Sequence, residues 1–149
     1  MNTFVLRAEK GCFIQVVLDE VLGFPNYTSP FGGYDVQGTV EIKSGSYYVK
    51  GELWFTTAEV YEFYNQLLQC WADLNGTAVF WTCETSLKVE VTFNSRGQVT
   101  IEGCFKEFAH EENELKFKIQ SDQSFFVETI DGLKAIVQYY GDKNGIRKD

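Results

Sequence analysis

Hydrophobic residues alternate with polar ones through most of the chain, and this period of two predicts β-strands. The turns between them fall at short polar or glycine-containing segments such as Ser44-Gly45 and residues 94–97. The predicted strands lie at about residues 3–8, 12–18, 36–42, 47–55, 77–84, 87–93, 99–105 and 115–119. Apolar side chains fall on one face of these strands and charged ones on the other, which indicates antiparallel sheet with one solvated side.

Two segments change to helical spacing. The first begins at a capping box, in which the Thr56 hydroxyl and the Glu59 carboxylate each bind the other residue's amide, and Asn75-Gly76 is expected to stop it in a left-handed conformation. Its apolar face consists of Val60, Phe63, Tyr64, Leu67, Trp71 and Leu74. The second helix is expected to end at Gly141, although Gly132 inside it costs about 1 kcal/mol relative to alanine. Its apolar face consists of Phe126, Ile130, Leu133, Val137 and Tyr140.

The order of these elements predicts an α+β fold, with one or more antiparallel sheets of about eight strands, in hairpins and a meander, packed against two helices. The length of 149 residues fits a single domain over residues 1–149. Residues 23–34 hold both prolines and form the expected loop, and residues 142–149 form a short charged tail. The chain divides into a hairpin–helix half and a meander–helix half.

Charge narrows the class of partner. Thirteen Lys and Arg residues against 21 Asp and Glu give a net charge of −8, which repels phosphate, so we expect neither nucleic acid nor a membrane as a partner. The N-terminus has no basic segment followed by an apolar run, and we expect a cytoplasmic protein. The cysteines are then interpreted as small buried residues; they are Cys12, Cys70, Cys83 and Cys104.

Catalytic signatures are missing from the sequence. His110 is the one histidine, and we interpret it as a solvated residue in a strand connection, where neighbouring glutamates favour its protonated form. There is no G-x-S-x-G elbow, no metal-ligand spacing, no calcium loop and no phosphate-binding glycine motif. The glycines near residues 32–38 are interpreted as loop flexibility and a strand irregularity. We therefore predict no enzyme activity, no metal and no cofactor.

Two features favour protein binding. Aromatic residues are spaced through the glycine- and proline-containing loop, where Phe31 and Tyr34 could anchor a partner or fold back as a lid over the sheet edge. The densest negative segment could dock a basic protein or form a solvated turn. Its acidic residues are Glu107, Glu111, Glu112 and Glu114.

The order of the landmarks from about residue 35 to residue 141 resembles the WapI-type immunity proteins of bacterial polymorphic toxin systems. The hairpin and capped helix are followed by Gly76-Thr77-Ala78, which opens a strand, and by the segment 113–117 (NELKF). The most distinctive string is Asp122-Gln123-Ser124-Phe125 before the last helix. We interpret Asp122 itself as a structural cap of that helix.

The resemblance implies a non-enzymatic inhibitor that binds and neutralises a cognate toxin domain, often a nuclease, inside the producing cell. Under this hypothesis the four glutamates meet lysines and arginines of the toxin, and Phe31 or Tyr34 fills a pocket on it. A small-ligand-binding module that uses the aromatic loop and the sheet face is the alternative. An enzyme that uses His110 is a further one.

Overall fold

The chain folds into eight β-strands and two α-helices, in a computed structural model that describes residues 2–82, 84 and 86–146. The strands are β1 (Thr3–Arg7), β2 (Phe13–Leu22), β3 (Asp35–Ser44), β4 (Tyr47–Thr56), β5 (Gly76–Trp81), β6 (Leu87–Phe93), β7 (Gln98–Phe105) and β8 (Leu115–Asp122). The helices are α1 (Thr57–Asp73) and α2 (Phe126–Tyr140). Short 3-10 turns lie at Glu9–Gly11 and Gln123–Phe125. The predicted α+β class is confirmed.

The strands form two antiparallel sheets rather than one. The first has the order β1-β2-β3-β4 and the second the order β5-β6-β7-β8, so each strand pairs with its neighbours in sequence. The strands before α1 thus form one sheet and the strands after it form the other. The predicted strand irregularity is a shift of the β2–β3 register between Leu18 and Glu20, opposite Gly38. A Cβ atom on Gly38 would lie 2.4 Å from the Val17 carbonyl oxygen.

The inner faces of both sheets belong to one hydrophobic cluster. Phe80 on β5 lies near its middle, with ring centroids 5.6 Å from Phe4, 5.7 Å from Phe55 and 5.6 Å from Phe63. These rings come from β1, β4 and α1, so one side chain joins both sheets and a helix. Burial of each ring stabilises the fold by about 1.5–3 kcal/mol relative to an exposed position.

Helix α1 begins as predicted and ends slightly differently. The Thr56 hydroxyl accepts from the Glu59 amide at 3.3 Å, and the Glu59 carboxylate accepts from the Thr56 amide at 2.8 Å. The capping box is therefore confirmed. At the other end, Leu74 adopts the left-handed conformation (φ 51°), the role expected of Asn75-Gly76. Leu74 packs against the core, and this contact offsets the strain of that backbone conformation.

Asp122 caps the 3-10 turn that precedes α2 rather than α2 itself. Its carboxylate accepts from the Ser124 amide at 3.2 Å and from the Ser124 hydroxyl at 2.6 Å. These hydrogen bonds to the charged form lower the pKa of Asp122. Helix α2 begins at Phe126 and has no side-chain cap at Phe125. Asp122 is thus a cap, as interpreted, but of the 3-10 turn Gln123–Phe125 and not of α2.

Each helix covers the edge strand of a sheet. The Thr129 hydroxyl of α2 donates to the Val5 carbonyl of β1 at 2.6 Å. Gly132 allows this approach, because a Cβ atom there would lie 3.0 Å from the Thr3 carbonyl oxygen. On the other edge, the Gln66 side chain of α1 accepts from the Val79 amide of β5 at 2.8 Å. Both edges are thereby closed to pairing with another strand.

Replacement of Thr129 by valine should destabilise the protein by about 1–3 kcal/mol, because it keeps the shape of the side chain and leaves the buried Val5 carbonyl without its donor. Urea unfolding would measure the change in free energy of unfolding. Thr92→Val is the matched control at an exposed position. Equal stabilities of the two variants would show that the edge bond contributes nothing.

Candidate partner-binding surface

The acidic segment connects β7 to β8 and lies beside the edge strand β4. Its four predicted residues, Glu107, Glu111, Glu112 and Glu114, are all exposed. Between them Phe108 exposes about half of its surface (49%). The segment therefore presents negative charge together with an accessible aromatic ring.

Glu107 has a structural contact that the other three glutamates lack in the described structure. Its Oε2 atom accepts from the Glu52 backbone amide of β4 at 2.8 Å. The carboxylate passes over Gly51, where a Cβ atom would lie 2.6 Å from the same oxygen. Glu107 therefore ties the second sheet to the edge of the first. The sequence signal for this contact is Gly51, a glycine inside an otherwise regular strand.

A groove opens between the start of β4 and the acidic segment. Val49, Phe105 and Leu115 supply its apolar walls. Its other lining residues include Glu107, Glu111 and Glu114. Three of the four predicted glutamates are thus brought together at one groove, whereas Glu112 does not line it. An apolar floor beside several carboxylates suits a partner side chain that has an apolar stem and a positive end.

A second groove lies on the other side of Glu107. It is lined by Glu52, Trp54, Glu84, Lys106 and His110, among other residues. Carboxylates outnumber lysines among the described residues that line the two grooves. Because Glu107 borders both grooves, they form one continuous acidic surface along β4. We call the residues that line the two grooves the acidic surface.

The aromatic loop divides into a buried part and an exposed part. The Phe24 ring lies 5.1 Å from Tyr34, 5.4 Å from Tyr139 and 5.0 Å from Tyr140, measured between centroids. These rings pack the loop against α2. Phe31 remains 70% exposed. Phe31 therefore remains a candidate contact residue.

Tyr34 lies in the core, with no exposed surface. Its hydroxyl donates to the Pro25 carbonyl at 3.1 Å and accepts from the Ile146 amide at 3.0 Å. Its own amide donates to the Thr57 hydroxyl at 2.8 Å. Through these hydrogen bonds, Tyr34 connects the loop and Ile146, which follows α2, to the start of α1. Its ring is not available to a partner, and we leave it out of the contact surface.

A match with a protein-family model identifies the family. The model of the immunity protein WapI-like family matches residues 5–141. The chain belongs to the WapI-like immunity family. The match begins some 30 residues earlier than the resemblance described above and so includes β1 and β2. No curated protein and no solved structure matches the chain significantly.

The candidate catalytic groups of this WapI-like protein are its histidine and its cysteines. His110 is exposed, and its ring centroid lies 6.1 Å from that of Phe108. Burial raises the pKa of the Cys70 and Cys104 thiols, which disfavours the nucleophilic thiolate. Cys12 and Cys70 are buried as predicted, Cys104 is partly exposed, and Cys83 lies outside the described residues.

Two features are absent from the described residues. No group of three or more His, Cys, Asp or Glu side chains there could hold a metal ion. Neither helix in that part of the chain is both long and apolar enough to cross a membrane.

Replacement of Glu107 by alanine should lower the free energy of unfolding by about 0.5–1.5 kcal/mol, because the Glu52 amide loses its acceptor. Glu111→Ala removes the same kind of side chain from the same segment, and we expect it to be neutral. Chemical denaturation of both variants checks the difference. Equal effects would mean that Glu107 does not hold the two sheets together.

Tyr34→Phe should destabilise the protein by about 1–2 kcal/mol, since it removes the hydroxyl that joins Pro25 and Ile146. Tyr27→Phe, at a ring that is 78% exposed, is the control and should leave the melting temperature unchanged. Thermal unfolding followed by circular dichroism measures both. A Tyr34→Phe protein as stable as the control would contradict the structural role of this hydroxyl.

Proposed function

We propose that this WapI-like immunity protein is a non-enzymatic inhibitor, which binds a cognate toxin domain in the cytoplasm and neutralises it. Membership of the immunity family supports the general role. The proposal that the partner is a basic toxin domain rests on the acidic surface along β4, where apolar side chains lie beside Glu107, Glu111 and Glu114.

The charge of the surface favours a basic toxin domain, such as a nuclease. A nuclease must approach phosphate groups and therefore usually carries clustered lysines and arginines. A net charge of −8 on the inhibitor accelerates the encounter of the two proteins, and the carboxylates of the acidic surface favour one orientation. Occupation of the basic face of the toxin by the inhibitor would then exclude the nucleic acid substrate.

Phe31 supplies a second proposed contact. Exposed aromatic side chains bury a large area at low entropic cost, and they are common among residues that dominate binding energy. Phe31 is held in place by the turn in which its amide donates to the Ser29 hydroxyl at 3.1 Å. Its ring is therefore presented on an ordered loop.

Charge reversal tests the proposed surface. The triple variant Glu111→Lys, Glu112→Lys and Glu114→Lys should weaken binding to the cognate toxin domain at least tenfold, because it repels a basic partner. The control, Glu9→Lys, Glu62→Lys and Asp131→Lys, produces the same net charge at exposed positions elsewhere. Titration calorimetry at two salt concentrations measures both, and the affinity of the unmodified protein should fall as salt rises.

The control variant separates local complementarity from overall charge. If both triple variants bind equally well, the acidic segment is not the contact surface. If the unmodified protein neither binds the toxin domain nor protects cells that produce it, the inhibitor role itself is wrong.

A further inference from the structure

The edge strands of the two sheets differ in how far other elements cover them. Strand β1 is covered by α2 and strand β5 by α1, through the hydrogen bonds of Thr129 and Gln66. Strand β8 packs against the 3-10 turn Glu9–Gly11 and against β3, and its Ser121 hydroxyl donates to the Arg7 carbonyl at 2.6 Å. Strand β4 packs mainly against β3, and α1 meets it where the strand ends. Helices and strands therefore leave most of the β4 edge uncovered in the described chain, and the Glu107 carboxylate occupies one of its amides.

Two hydrogen bonds show which backbone amides of β4 point away from β3. The Glu52 amide donates to Glu107 and the Thr56 amide to Glu59, so both point away from β3. The register between β3 and β4 is unbroken from Tyr47 to Thr56. Because outward amides recur every second residue along an antiparallel edge strand, those of Tyr48, Lys50 and Trp54 also point outward. These amides are donors, and the carbonyl groups of the same residues are acceptors, at the spacing that an added strand requires.

The open edge and the acidic surface adjoin each other. Side chains of an added strand would alternate between the groove, at Val49 and Leu115, and the outer face of the sheet. Those that enter the groove would meet Glu107, Glu111 and Glu114. On the outer face, Lys50 lies opposite Glu41 in the register with β3, away from the groove.

We propose that β4 receives an extended, lysine- or arginine-bearing segment of the toxin domain as a fifth strand of the first sheet. This inference rests on the proposed function. Main-chain hydrogen bonds supply affinity in this mode of recognition, and the groove selects the side chains. Charge identifies the occupant, because the carboxylates that border the edge attract a basic segment. A second copy of this chain would bring the same carboxylates into opposition with themselves.

Hydrogen exchange of the unmodified protein, alone and in complex with the cognate toxin domain, tests the proposal directly. The amides of Tyr48 and Lys50 should exchange at least tenfold more slowly in the complex. The Val79 amide, which is already bonded to Gln66, provides the internal reference and should change little. A complex that forms without protection at Tyr48 and Lys50 would overturn the strand addition and leave the inhibitor role intact.

A proline variant tests the same edge by affinity. Lys50→Pro removes an outward amide but no bond to β3, and edge strands tolerate proline at such positions. Lys50→Ala removes the charge and keeps the amide, so it is the matched control. We expect Lys50→Pro to bind the toxin domain at least tenfold more weakly than Lys50→Ala. Equal affinities would overturn the proposal.

Two further outcomes are distinguishable. If sedimentation shows a dimer of the unmodified protein that Lys50→Pro abolishes, the occupant of the edge is a second copy and the proposal is wrong. If Lys50→Pro does not fold, the exchange measurement on the unmodified protein decides the matter. If the unmodified protein does not bind the toxin domain at all, the proposed function has failed first.

Discussion

The contact between the last helix and the first strand closes the fold. Helix α2 lies along β1, where Thr129 donates to the Val5 carbonyl and Gly132 leaves room for the strand backbone. This contact joins residues more than 120 positions apart, so it forms only when both halves of the chain are in place. Because the two sheets share one core, loss of the contact would expose an edge of one sheet and loosen the packing of the other.

The individual elements could be predicted from the sequence because each carries its own local signal. Alternation located the strands, and the Thr56–Glu59 pair located the start of α1. The division into two sheets could not be read in this way. Both meanders have the same period of two, and nothing in that pattern says whether β5 continues the sheet of β4. Long-range contacts such as those of Phe80 with Phe4 and Phe55 decide it, and a single sequence does not contain them.

The candidate surface shows the same limit at the level of single residues. Phe31 and Tyr34 flank Gly32-Gly33 and have similar local sequence, yet one ring is 70% exposed and the other is buried. Tyr34 differs by its tertiary contacts, among them the amide of Ile146, more than 110 residues away, which binds its hydroxyl. Glu107 likewise looks like its neighbours in sequence, but Gly51 on another strand gives its carboxylate a path to the Glu52 amide.

The openness of β4 is best understood through Glu107. An exposed edge strand invites aggregation, and the covering of β1 and β5 by helices indicates that the fold generally avoids this hazard. At β4 the chain uses carboxylates on two amides, Glu107 on that of Glu52 and Glu59 on that of Thr56, and a lysine, Lys50, in the middle of the strand. These devices disfavour pairing with a like-charged copy and leave most of the edge accessible. A carboxylate can also be displaced by an incoming carbonyl group and can then pair with a basic side chain of the partner. The same residue would thus protect the edge in the free protein and contribute to recognition in the complex.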